Sequence, residues 1–167
     1  VDHLVVAQSV EVQSQILAGP VVRLHGPQGR PRAERRHVMR VLSPGDTLQL
    51  APGVYRRGLP IHGLHGRDDA PITISGSSDG PPTVFLGRPG SNTVSIKNAA
   101  HVIVRDLELD GRGAFVDAVK AEGHADYAHH ITLENLYIHN YAAQQQSVGI
   151  STKCPAWDWV VRGNRIE

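Results

Sequence analysis

Cysteine is nearly missing from this 167-residue chain: Cys154 stands alone, which excludes an intrachain disulfide framework and any cysteine-rich zinc site. Aromatic residues are scarce as well, with two Trp, four Tyr and two Phe. A core assembled from large rings is therefore excluded. No apolar run reaches the roughly 18 residues that a membrane-spanning helix needs. The most apolar N-terminal stretch, Leu4 to Val22, is broken by Gln8, Ser9, Glu11, Gln13, Ser14 and Gln15, which excludes both membrane insertion and an intact signal peptide. Charge of one sign is also lacking. Lys and Arg number 17 against 16 Asp and Glu, for a formal net charge of +1, so a nucleic-acid binder working by bulk charge is excluded.

What is present is a strand-forming composition. The chain holds 19 Val and 10 Ile, with 17 Gly and 11 Pro to punctuate it, and helical bundles fit this badly. The length suits a single domain of about 100–200 residues. Two regions separate by charge. Residues 1–42 form an N-terminal segment or cap, in which six Arg face three acidic residues and Gly26-Pro27-Gln28-Gly29-Arg30-Pro31-Arg32 reads as a loop. Residues 43–167 are slightly acidic and open on Ser43-Pro44-Gly45-Asp46. Because the chain begins at Val1 and ends on an apolar, strand-like segment, it reads as a portion of a longer protein, with its C-terminal coil open to self-association.

The second region repeats. Val102–Leu109 overlays Ile131–Ile138 at an offset of 29 residues, and Trp159–Ile166 follows at an offset of 28, with Asn164 in the place of Leu107 and Leu136. Each copy follows a shorter alternating run: Val94-Ser95-Ile96, Ala118-Val119-Lys120-Ala121 and Val148-Gly149-Ile150. Alternation sends Val102, Val104, Leu107 and Leu109 to one face, and the slip of phase between 104 and 107 reads as a corner between two short strands. Short strands, corners and a constant register with no helical run predict a solenoid, a parallel β-helix of about five coils. An antiparallel β-sandwich also has short strands and frequent turns, but it does not predict the constant register.

The opening passage Pro44-Gly45-Asp46-Thr47-Leu48-Gln49-Leu50-Ala51-Pro52-Gly53-Val54-Tyr55, followed by Ala70-Pro71-Ile72-Thr73-Ile74, resembles the first coil of right-handed parallel β-helix proteins of the pectate-lyase-like superfamily, closest to the chondroitinase-B-like and alginate-lyase-like group. The resemblance covers roughly residues 43–167. It implies a right-handed β-helix whose cleft follows one sheet face, a polysaccharide partner, and a secreted, periplasmic or cell-surface location. It also implies β-elimination on an acidic, uronate-containing polysaccharide. A non-catalytic glycan-binding or scaffold β-helix and a β-helix glycoside hydrolase are the alternatives.

Candidate chemistry falls in three groups. Arg105, Glu134 and Arg162 share an outward column and read as a salt-bridge ladder, each exposed pair contributing about 0–1 kcal/mol. Asp106, Glu108 and Asp110, followed one coil later by Asn135, Tyr137 and His139 and then by Gly163, Arg165 and Glu167, give carboxylates about 6.6 Å apart at Cα along a strand, a spacing that suits a glycosidase acid/base pair or a Ca²⁺ site. The third group surrounds the strand near 120. Lys120 is the candidate base for β-elimination, and Asp117 and Glu122 are candidate ligands of a Ca²⁺ that neutralises the uronate. Lys97, His124, Lys153, Tyr137 and His139 are candidate substrate-binding residues. His129-His130 and His139 do not follow a zinc-ligand spacing and read as surface or turn histidines. Cys154, before Pro155, reads as a structural thiol.

Overall fold

The computed structural model describes residues 12–15, 18–24, 39, 41–123, 127–143 and 148–167. An antiparallel pair, β1 (Val12–Gln15) and β2 (Ala18–Leu24), precedes a stack of three-strand turns. The first turn is β3 (Thr47–Leu50), β4 (Gly53–Tyr55) and β5 (Leu59–His62); the second is β6 (Ile72–Ser75), β7 (Thr83–Leu86) and β8 (Val94–Lys97). The third is β9 (Ala99–Arg105), β10 (Glu108–Asp110) and β11 (Val119–Ala121); the fourth is β12 (Ala128–Glu134), β13 (Tyr137–His139) and β14 (Ile150–Ser151). β15 (Ala156–Trp157), β16 (Val160–Arg162) and β17 (Arg165–Ile166) begin a fifth. Four complete turns and part of another thus stand where about five were expected from the repeat.

Strands in the same place of successive turns pair in parallel, so the stack has three faces. Sheet A carries β2, β3, β6, β9, β12 and then β15 and β16; sheet B carries β4, β7, β10, β13 and β17; sheet C carries β5, β8, β11 and β14. The pairing follows the sequence offsets. Val102, Val104 and Arg105 stand beside Ile131, Leu133 and Glu134, and Leu133 and Glu134 stand beside Val161 and Arg162. Inward columns form the core. Leu48, Ile74, Val104 and Leu133 stack in sheet A, Tyr55, Phe85, Leu109 and Ile138 in sheet B, and Ile61, Ile96 and Ala121 in sheet C, all buried. Val and Ile suit such columns because a branched side chain packs on its own kind one strand above and below. Two of the few rings pair in the core: Tyr55 stacks on Phe85 with centroids 4.8 Å apart, and its hydroxyl donates to the Ala51 carbonyl.

The corner between sheets A and B explains the slip of phase. Asp106 and Asn135 hold φ of 57° and 52°, and Gly163 holds 64°, so three successive turns bend in the left-handed region at one place. Asp and Asn tolerate that region better than most residues, and here the Asn135 amide donates to Asp106 at 3.3 Å. One turn earlier the column is filled by Gly76, where a Cβ would overlap the Asp106 carbonyl oxygen. Leu107 and Leu136 sit just past the corner, buried, while Asn164 in the next turn does a different job. Its side chain accepts from the Leu136 N–H at 2.8 Å and donates to the Leu133 carbonyl at 2.9 Å, binding the backbone of the turn before it. At the other end, Met39 and Leu42 join the same core as the stack. Among the described residues no helix is long and apolar enough to cross a membrane.

Candidate functional site

Outward positions of sheet B gather several chemically capable side chains. Register places Glu108, Tyr137 and Arg165 in one column and Asp110 and His139 in the next, with Glu167 following Ile166 at the end of the latter. Alternation forces this arrangement: Leu109, Ile138 and Ile166 between them take the inward column, so their neighbours face out. Glu108 Oε1 lies 3.0 Å from His139 Nε2. The His139 ring stacks on Tyr137 with centroids 4.2 Å apart, and the Arg165 guanidinium carbon lies 5.0 Å from the centroid of the Tyr137 ring. Tyr137 donates to Glu167 at 2.8 Å, and Arg165 Nε also donates to Glu167 at 2.7 Å. Those hydrogen bonds shift all three groups: the Glu167 carboxyl is held below its usual range, while the Tyr137 phenol, bonded to the carboxylate, is pushed up. Asp110 Oδ1 accepts from the Arg112 backbone N–H at 3.0 Å and the Asn140 amide at 3.2 Å. The result is a stacked Tyr–His pair flanked by carboxylates on an open strand face.

Sheet C receives the other sequence candidates. Lys120 Nζ pairs with Asp117 at 3.1 Å, and the other oxygen of Asp117 accepts from the Val148 N–H at 3.0 Å. Asp117 is only 3% exposed, so its carboxylate is spent on closing the turn. Glu122 accepts from the Asn92 amide at 2.5 Å, and Asn92 in turn accepts from the Asp117 N–H, so Asn92 links the two acids. Lys97 lies beside His62 in the register, and Lys153 is exposed in the loop after β14. A cleft of about 270 Å³ opens beside them, lined by Arg57, Arg88, His62, Ser95, Asn92 and Glu122. His124 lies outside the described residues.

The sequence candidates therefore divide between two faces. Tyr137 and His139 stand together on sheet B, whereas Lys97 and Lys120 lie on sheet C and Asp117 and Glu122 flank its strand β11. The Arg105–Glu134–Arg162 ladder forms on the outside of sheet A, with Glu134 at 3.8 Å from Arg105 and 2.6 Å from Arg162. Arg165 and Glu167, which the 28-residue offset from Tyr137 and His139 marks in the sequence, complete the sheet-B face. Among the described residues, one group brings three metal-ligating side chains within reach of each other: His101, His129 and His130, on sheet A.

No family model and no curated protein sequence matches the chain. Among solved structures it is similar to the crystal structure of the GH136 lacto-N-biosidase from Eubacterium ramulus in its native form, with a TM-score of 0.59, 20% identity, and 78% of this chain covered. The selenomethionine derivative of that enzyme gives a TM-score of 0.54 at 19% identity over the same share. The chain spans 30% of the length of that enzyme. At this identity the likeness establishes the β-helical fold.

Proposed function

We propose that this chain is the glycan-binding part of a β-helix glycoside hydrolase, with sheet B as the substrate face. The observation that carries the reading is the Tyr137–His139 stack set between Glu108, Asp110 and Glu167. A sugar ring is amphipathic: its C–H face lies on an aromatic ring while its hydroxyls seek carboxylates and amides, and the sheet-B face offers both at strand spacing. Hydrolysis needs two carboxyl groups flanking the scissile bond, about 5–5.5 Å apart for retention or about 6.5–9.5 Å for inversion. Glu108 and Asp110, two residues apart on β10, project from the same face and are the two carboxyl groups of the proposed acid/base pair. The β-elimination reading draws less support: its candidate base, Lys120, is ion-paired to a buried carboxylate whose oxygens are both engaged. A Ca²⁺ site at Asp117 and Glu122 draws less support for the same reason, while a location outside the cell is part of the wider proposal.

The test uses this chain for binding and the longer protein that contains it for turnover. Lacto-N-biose-containing oligosaccharides and uronate polysaccharides are offered, and both new reducing ends and unsaturated uronate are measured. New reducing ends without unsaturated uronate, lost in Glu108→Gln and Asp110→Asn, are expected. Tyr137→Ala is expected to weaken oligosaccharide binding by about two- to tenfold, the size of one aromatic contact. Appearance of unsaturated uronate, or full turnover by both carboxyl variants, would overturn the proposal.

A further inference from the structure

On sheet A, the 29-residue offset does something the local spacing conceals. Ala100 pairs with His129 and Val102 with Ile131, so His101 and His130 occupy the same place in successive turns. Both take left-handed backbone, with φ of 51° and 52°, and Asp158 continues the column at 54°. Imidazoles thereby come together from two turns: ring centroids are 4.4 Å apart for His101 and His130, 5.0 Å for His129 and His130, and 5.9 Å for His101 and His129. One ligand nitrogen from each of the three lies within 4.8 Å of the others.

We propose that His101, His129 and His130 bind a divalent transition-metal ion of the Zn²⁺ or Cu²⁺ type, with three imidazole ligands and a fourth position open to solvent. Donor chemistry selects the metal, because imidazole suits zinc, copper and nickel whereas calcium and magnesium take oxygen. Geometry requires only side-chain rotation. Tetrahedral ligands at about 2.0–2.1 Å from zinc are about 3.3 Å from each other. His129 Nδ1 and His130 Nδ1 are 2.8 Å apart and must part slightly, while the His101 nitrogen closes in. In the following turn, Asp158 Oδ2 lies 3.6 Å from His130 Nε2, at ion-pair range, so it faces that side of the ring and leaves Nδ1 on the side of His129. The His129 ring lies flat on Trp157, centroids 4.6 Å apart and planes 7° from parallel, which fixes its orientation.

The experiment titrates the untagged chain with Zn²⁺ at neutral pH by calorimetry. Saturable binding of one ion per chain is expected, weakened more than about tenfold in each of His101→Ala, His129→Ala and His130→Ala and unchanged in His62→Ala on sheet C. Because a variant at a left-handed position can lose structure, the unsubstituted chain loaded with Cu²⁺ is read by electron paramagnetic resonance, where coupling to three imidazole nitrogens is expected. Asp158→Asn should weaken Zn²⁺ binding by about tenfold and leave the nitrogen count at three. Absence of saturable Zn²⁺ binding, coupling to fewer than three nitrogens, or equal loss in His62→Ala would overturn the site.

Discussion

Tyr141 shows how a single residue is set by where the coil puts it. It follows β13, and its hydroxyl donates to Thr93 at 2.8 Å, across to the strand side of the second turn. Burial pushes its phenol up to about 12, the charge of Asp110 adding to the shift and the Thr93 hydroxyl opposing it. The folded-state value is above the unfolded value of about 10, so the stability linked to this group is complete below pH 10 and is lost as pH rises through about 12. The loss is of order 2–3 kcal/mol. Urea midpoints measured from pH 9 to pH 12 should fall, and the fall should be smaller in Tyr141→Phe; parallel slopes for the two proteins would show that Tyr141 ionises freely. Sequence reasoning could not reach this, since Tyr141 and Thr93 are 48 residues apart.

At the scale of elements, each column of the stack is a separate decision about what faces in, and the third repeat makes a different one. Leu107 and Leu136 bury apolar surface, while Asn164 in the same place bonds the Leu136 N–H and the Leu133 carbonyl. Replacing it by the residue that the repeat suggests, Asn164→Leu, trades two hydrogen bonds for burial in a half-exposed turn. A loss of about 1–3 kcal/mol is expected, because unpaired backbone groups there cost more than partial burial returns. Thermal unfolding measures it, and an unchanged or raised midpoint would mean that the apolar column governs even at the last turn. The 28- and 29-residue offsets were legible as alternation, and so were the Arg105–Glu134–Arg162 ladder and the corner at Asp106. The stack of Tyr137 on His139, and the tying of Lys120 to a buried Asp117, depend on rotamers and burial that alternation does not specify.

For the whole molecule, the inward columns are the property that matters most, because each is buried only while another turn lies on it. Val161 continues the column of Leu133, which is fully buried, yet is itself 50% exposed; Ile166 continues that of Ile138 and is 53% exposed. A solenoid end of this kind offers apolar side chains and unpaired strand edges together. The 167-residue chain on its own should therefore self-associate, and the double substitution Val161→Lys, Ile166→Lys should shift it toward monomer, as read by light scattering over a concentration series. A wild-type chain that stays monomeric throughout would exclude association through this end. The sequence alone determined the β-helix, its register and which side chains face out, because a strand's alternation and a constant offset are local properties that repeat. Only the tertiary structure decided which outward residues meet. Placing His101 over His130, and Glu108 beside His139, takes residues about 30 apart in the chain and sets them one strand apart in space, at about 4.8 Å.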